Sequence, residues 1–291
     1  MISKKITLGT AQFDNNYAKI FRANENKAQN YQNLKKLFNY AYKKKIVYID
    51  TALSYTNSSS YLSNFISNKK YRIITKIPKI PRKTRNYQDW LEKKILQSLK
   101  TIGIKKFWAI LFHSSDFLKL NKKNDIINAL QRLKRKKYCN KISISVYKKK
   151  EIESHLKNWK PDIIEFPYNI LDRRLSDKYL TKLKKKKVLL FARSIFLKGL
   201  LLSKNQPNYF KKWRRKLVTW LQYCDKNNLS VLEGSIIYVL QKPFIDKIIL
   251  GLENKKQLDQ ILNINFKRSN IKFPNFNIKD QKILNPTFWR I

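Results

Sequence analysis

Eight short runs rich in β-branched and aromatic residues recur from end to end of this chain, and they constrain the fold more than any other feature. They are "KITLGTA", "IVYID", "YRIITKI", "FWAILFH", "KISISVY", "DIIEFPY", "VLLFARS" and "DKIILG". Each has the length and composition of a β-strand. Several are apolar at almost every position, as strands covered on both faces must be. Helical periodicity fills the gaps. Leu34, Leu37, Phe38 and Ala41 recur at i, i+3, i+4, i+7 before the second strand, and Leu91, Ile95, Leu99 and Ile102 before the fourth. Ile126, Leu130 and Leu133 precede the fifth; Leu175, Tyr179, Leu180 and Leu183 precede the seventh. Leu217, Trp220, Leu221 and Cys224, then "VLEGSIIYVLQ", place two helices before the eighth, and Leu258, Ile261 and Leu262 close the series.

Parallel strands need crossovers, and this spacing supplies helical ones. Eight units in a chain of 291 residues predict a (β/α)8 TIM barrel. A doubly wound open sheet is the alternative, but it would carry a G-x-G-x-x-G turn after its first strand, and none is present. No Pro/Gly/Ser-rich linker interrupts the pattern. The expectation is one domain over residues 1–291, with an irregular tail from about residue 266 covering part of the barrel.

Composition narrows the function. Two cysteines, Cys139 and Cys224, and two histidines, His113 and His155, are too few and too scattered for a disulfide framework or a metal cluster. The opening "MISKKITLGTAQF" has no apolar run of signal-peptide length, and no segment approaches a membrane span. A reducing cytoplasm is expected. The formal net charge of +45 raises the alternative of a polyanion partner. However, Lys, Asn, Ile, Tyr and Phe abound while Gly is 5 and Pro is 8, as an A/T-rich coding bias would produce. The lysines are also spread along the chain rather than gathered in one patch. "LKRKKY" and "LKKKKV" read as solvated helix ends, and His155 as part of the solvated face of a basic helix. The expected partner is a small molecule, with no specific nucleic acid and no membrane; the chain is expected to be a monomer or weak oligomer.

In such a barrel, chemistry sits at the C-terminal ends of the strands. Strand two ends in Asp50, with Tyr55 in the segment beyond; strand three ends in Lys76 and strand four in His113. A phenol is a poor proton donor near neutrality because its pKa is near 10. A neighbouring ammonium favours the phenolate, a carboxylate holds that ammonium charged, and an imidazole can orient a substrate oxygen. Such a set would protonate an alkoxide as it forms. Singly, three of the four have a plainer reading: a helix cap for Asp50, packing for Tyr55, composition for Lys76. His113 differs, being one of only two histidines and ending an apolar strand.

These four residues resemble the Asp, Tyr, Lys and His tetrad of the aldo-keto reductases. "DTALSY" is similar to that family's Asp-Thr-Ala-x-x-Tyr. "LGTAQF", "SISVY", "EFPYNILDRR", "RSIFLKGLLL" and "ILGLENKKQL" resemble its segments in order, over roughly residues 5–263. The resemblance implies an oxidoreductase that reduces an aldehyde or ketone with NADP(H), or alternatively NAD(H), bound without a Rossmann domain. It makes Tyr55 the general acid, with Lys76, Asp50 and His113 in support. It also assigns cofactor contacts to Gly9, Thr10, Ser145, Glu165, Arg193, Ser194, Gly251, Lys255, Lys256 and Gln260.

The chain departs from the family pattern at several places. Thr56 and Ser143 stand where Gly is expected, Ser59 where Glu is usual, and Asp14 and Ala18 interrupt an "FG…YG" signature. Ile261 replaces an Asn that touches adenine. Glu165 replaces Gln, and its added charge is expected to favour the oxidised, cationic nicotinamide. These losses motivate a second reading, a barrel that binds cofactor without catalysing, in a regulatory or structural role.

Overall fold

The structure is a computed structural model that describes residues 2–13, 27–55, 58–66, 69–81, 83–119, 123–266 and 271–289. Thr56, Asp14 and Ala18 lie outside the described residues. The strands are β1 (Ile6–Gly9), β2 (Tyr48–Asp50), β3 (Arg72–Ile77), β4 (Phe107–Phe112), β5 (Cys139–Ser145), β6 (Ile163–Pro167), β7 (Leu189–Arg193) and β8 (Lys247–Gly251). They pair in parallel in chain order, and β8 closes onto β1. The protein is therefore a (β/α)8 TIM barrel, and all eight sequence runs form strands.

The helices are α1 (Lys27–Lys43), α2 (Ser58–Phe65), α3 (Tyr87–Ile102), α4 (Lys123–Arg135), α5 (Lys149–Leu156), α6 (Asp177–Lys185), α7 (Arg214–Lys226), α8 (Val231–Leu240), α9 (Lys255–Leu262) and α10 (Gln281–Leu284). Local chemistry fixes their ends. Asn86 caps α3 by accepting a hydrogen bond from the Asp89 amide, and Gly103 ends it at φ 76°. Ser230 and Glu233 form a reciprocal capping box on α8. Glycine is scarce, so lysine fills equivalent left-handed positions elsewhere. Lys45, Lys137 and Lys187 have φ of 63°, 62° and 58° in the turns that leave α1, α4 and α6 for the next strand. An L-residue there costs about 1 kcal/mol.

Two apolar layers hold the barrel. Outward-facing strand residues such as Ile110 and Phe166 pack under the helices, whose Leu37 and Trp220 are fully buried. Inside, Ile74, Ala109, Leu111, Ile163, Phe191 and Ile249 form a separate plug. The plug matters for function, because side chains alternate along a strand. The next inward position after Ile74 is Lys76, after Leu111 is His113, after Ile163 is Glu165, after Phe191 is Arg193 and after Ile249 is Gly251. An apolar floor is thus roofed by polar groups at the C-terminal mouth.

The residues after the last strand fold back on the outer helices. Phe273 and Phe276 pack on Trp220 and Tyr223 of α7, and the Ile278 amide donates to Leu171 O at 2.9 Å. One sequence expectation is corrected here. His155 does lie on a basic helix, α5, but it is fully buried rather than solvated. Its Nδ1 accepts from Trp159 Nε1 at 3.3 Å, which leaves Nε2 as the donor to Ser115 Oγ at 3.1 Å. Burial pushes its pKa down to about 4.

Candidate active site

Strand register brings the sequence candidates to one level. Gly9 lies opposite both Asp50 and Gly251, and Ser145 lies opposite Glu165. Asp50 ends β2, Lys76 is the penultimate residue of β3, and His113 follows β4 directly. Ser145, Arg193 and Gly251 each end a strand.

At the centre is a buried ion pair. Lys76 Nζ lies 2.5 Å from both carboxylate oxygens of Asp50. Lys76 is 2% exposed, so each charge depends on the other. Burial works against the Lys76 ammonium, but Asp50, Glu165 and Tyr55 outweigh it and raise its pKa above the ordinary lysine value. Asp50 is pushed up by burial first and by Glu165 second, against the pull of Lys76 and Arg193. The two close contacts define an ion pair with a charged lysine.

Glu165 joins this pair, which the sequence did not reveal. It is 1% exposed, and its Oε2 lies 3.3 Å from Lys76 Nζ. Its Oε1 lies 3.2 Å from Arg193 Nε and accepts from Ser145 Oγ at 3.3 Å. Lysine is therefore shared between two carboxylates, and one of those carboxylates is shared with an arginine. Arg193 in turn stacks on Tyr147, its guanidinium 4.4 Å from the ring centre.

Tyr55 is half-buried in the segment between β2 and α2, where its amide donates to Ala52 O at 3.0 Å. Its ring meets the His113 imidazole edge to face, with centroids 6.2 Å apart. Burial and then Lys76 lower the His113 pKa to about 4, so the imidazole is neutral at neutral pH. A neutral ring can donate one hydrogen bond without adding charge.

The remaining candidates surround this centre. Thr10 donates its hydroxyl to Thr51 Oγ1 at 2.8 Å and accepts at its carbonyl from Ser58 Oγ at 3.3 Å, tying the ends of β1 and β2 to α2. A Cβ at Gly251 would fall 2.0 Å from Gln12 Oε1, and one at Gly9 would fall 3.2 Å from Ile249 Cγ2, so the rim there is tightly drawn. Ser194 opens the loop after β7 at φ 57°, its carbonyl held by Asn169 Nδ2 at 2.9 Å. Lys255, Lys256 and Gln260 are exposed on α9. Lys255 is committed to Asp259 at 2.8 Å and lies over the Tyr40 ring. Ile261 is buried and faces the core.

Ser143 is accommodated without strain: it is buried mid-strand, and its hydroxyl accepts from the Ile163 amide at 3.1 Å. Among the described residues no group of three or more His, Cys, Asp or Glu could hold a metal ion. No helix of the described residues is long and apolar enough to cross a membrane.

Comparison with known proteins gives the family and the fold. The family model described as "Aldo/keto reductase family" matches residues 5–276. The chain belongs to the aldo/keto reductase family. The fold is shared with solved aldo-keto reductases at low identity. One is AKR11C1 from Bacillus halodurans in its holo form, with 14% identity, TM-score 0.72, and 90% of this chain and 87% of that chain covered. Another is the glycerol dehydrogenase AKR11B4 from Gluconobacter oxydans, with 16% identity, TM-score 0.69, and 91% and 90% covered. No curated protein sequence matches.

Aldo-keto reductases use nicotinamide cofactors, and membership makes this protein an oxidoreductase of that kind. The residues present fit such a group. Glu165 Oε2 is buried and accepts no hydrogen bond from any described residue, although Lys76 is near. An unsatisfied buried acceptor beside the Ser145 hydroxyl suits a primary carboxamide.

Proposed function

We propose that this aldo-keto reductase reduces an aldehyde or ketone to an alcohol, with Tyr55 as the proton donor. The observation that carries this reading is the buried Asp50–Lys76 pair at the barrel mouth, with Tyr55 in its field and a neutral His113 against the Tyr55 ring. A bound nicotinamide would supply the hydride. The protein's residues supply the rest. His113 donates to the carbonyl oxygen and fixes its direction. Tyr55 gives up its proton as negative charge gathers on that oxygen. Lys76 stabilises the phenolate left behind, and Asp50 keeps the ammonium in place and charged. The apolar plug beneath excludes water from the floor of the site, which strengthens each of these interactions.

For the cofactor, Ser145 and Glu165 would hold the carboxamide, and Arg193 and Ser194 would flank the nucleotide. Gly9, Thr10 and Gly251 would let its backbone approach the rim. NADP(H) is favoured over NAD(H) because Lys255 and Lys256 open α9, where a helix N-terminus also suits a phosphate. Gln260 lies one turn further along. The whole chain is proposed to act as one domain in the cytoplasm, on a small carbonyl compound.

The test is direct. Purified protein should quench the fluorescence of reduced nicotinamide on binding, NADPH more strongly than NADH. It should then consume the cofactor with at least one member of an aldehyde and ketone panel. Cofactor binding with no turnover across the panel would overturn the reductase reading.

A further inference from the structure

The centre of the site holds two more charges, Glu165 and Arg193, than carbonyl reduction by the tetrad needs. His113 from the end of β4 meets the Tyr55 ring, and Lys76 from β3 interacts electrostatically with the phenol. Lys76 in turn meets Asp50 from β2 and Glu165 from β6, and Glu165 meets Arg193 from β7. His113 is neutral at neutral pH, so the fixed charges are two carboxylates and two cations. They form a chain: Asp50 to Lys76 at 2.5 Å, Lys76 to Glu165 at 3.3 Å, and Glu165 to Arg193 at 3.2 Å. Lys76 is the link next to Tyr55. Its effect on the phenol depends on how much of its charge the carboxylates already offset.

We propose that Glu165 is a positioning residue that holds Lys76 between two carboxylates, so that Tyr55 keeps its proton to higher pH than Asp50 alone would allow. The inference rests on the reading of Tyr55 as proton donor, but its mechanism is electrostatic and belongs to the cofactor-free protein. A second carboxylate 3.3 Å from the ammonium draws field away from the phenol and repels a phenolate directly. Burial at 1% exposure removes the water that would otherwise screen it. Arg193 limits the effect by sharing Glu165 at its other oxygen. The consequence is directional. A protonated Tyr55 is the form that reduction needs, whereas alcohol oxidation needs the phenolate. Glu165 therefore keeps the site in its reducing form through neutral pH and defers oxidation to alkaline pH.

The test is a pH titration of Tyr55 by NMR, with 13C in the tyrosine ring, on the protein without cofactor or substrate. Tyr55→Phe assigns the resonance. Glu165→Gln is nearly isosteric and should lower the Tyr55 midpoint by about one to two pH units, the usual effect of one adjacent charge. Glu165→Asp keeps the charge and should stay near the parent. Arg193→Met leaves Glu165 wholly to Lys76 and should raise the midpoint, a change of opposite sign that general loosening of the fold would not produce. An unmoved midpoint in folded Glu165→Gln, or equal shifts in the Gln and Asp variants, would overturn the proposal. Turnover is measured separately. A shifted midpoint without turnover in any variant would refute the reductase reading and leave the electrostatic one standing; turnover with an unshifted midpoint would do the reverse.

Discussion

Acid should destabilise this protein through His155. The folded-state pKa of His155 falls from 6.5 to about 4 because the ring is buried against Phe117 and Trp159. A depressed histidine pKa means that the fold prefers the neutral form. Its contribution is fully present above pH 6.5 and is lost as pH falls towards 4. The gap of about 2.5 units corresponds to about 3 kcal/mol. Urea unfolding at pH 7 and pH 4 of the parent and of His155→Phe measures this. The variant leaves the Trp159 indole N–H and Ser115 without their partner, which lowers its stability by about 1–3 kcal/mol at either pH. The diagnostic is the difference between the two pH values. The parent should lose about 3 kcal/mol more than the variant on going from pH 7 to pH 4. His113 titrates in the same window but is present in both proteins and cancels. Equal losses would refute the reasoning and return His155 to solvent.

Three further outcomes follow from the same physical chemistry. Lys76→Met strands Asp50 and Glu165 in the interior and should cost about 3–5 kcal/mol in urea unfolding at pH 8. The loss should shrink at pH 5, where Asp50, whose pKa burial raises, can take up a proton, and a pH-independent loss would contradict it. Glu165→Gln should also shift the ratio of oxidised to reduced cofactor affinity towards the reduced form. Because Lys76 and Arg193 already offset the charge, the shift should be no more than about tenfold, or about 1.4 kcal/mol; fluorescence titration with both forms reads it, and an unchanged ratio counts against the expectation. Lys187→Gly should stabilise the fold by about 0.5–1 kcal/mol, because it relieves an exposed left-handed lysine at φ 58°. A lower melting temperature in that variant would contradict the strain argument.

The barrel was legible because strand periodicity and helical periodicity differ, and this chain keeps them cleanly apart. The site was legible for a related reason: alternation along each strand sends every second residue inward. Lys76, His113, Glu165, Arg193 and Gly251 are the inward positions just beyond an apolar one. Alternation also marks Glu165 as facing the same interior as Lys76, but sequence does not give the distance between two strands across a barrel. The three-way contact of Glu165 with Lys76, Arg193 and Ser145 therefore emerged only in three dimensions. α2 was missed because "SSSYLSNF" has few apolar residues; its Leu62 and Phe65 are buried, and Phe65 packs against Phe38 of α1. His155 was misread because lysines and glutamates surround it in sequence, whereas its own position on α5 turns towards Phe117 and Trp159.

The central claim is that Tyr55 delivers the proton, and the turnover of Tyr55→Phe tests it most directly. The account predicts that the variant binds NADPH as the parent does while carbonyl reduction falls by at least about a hundredfold, the lower range for loss of a general acid. Reduction at the parent rate by Tyr55→Phe would contradict it.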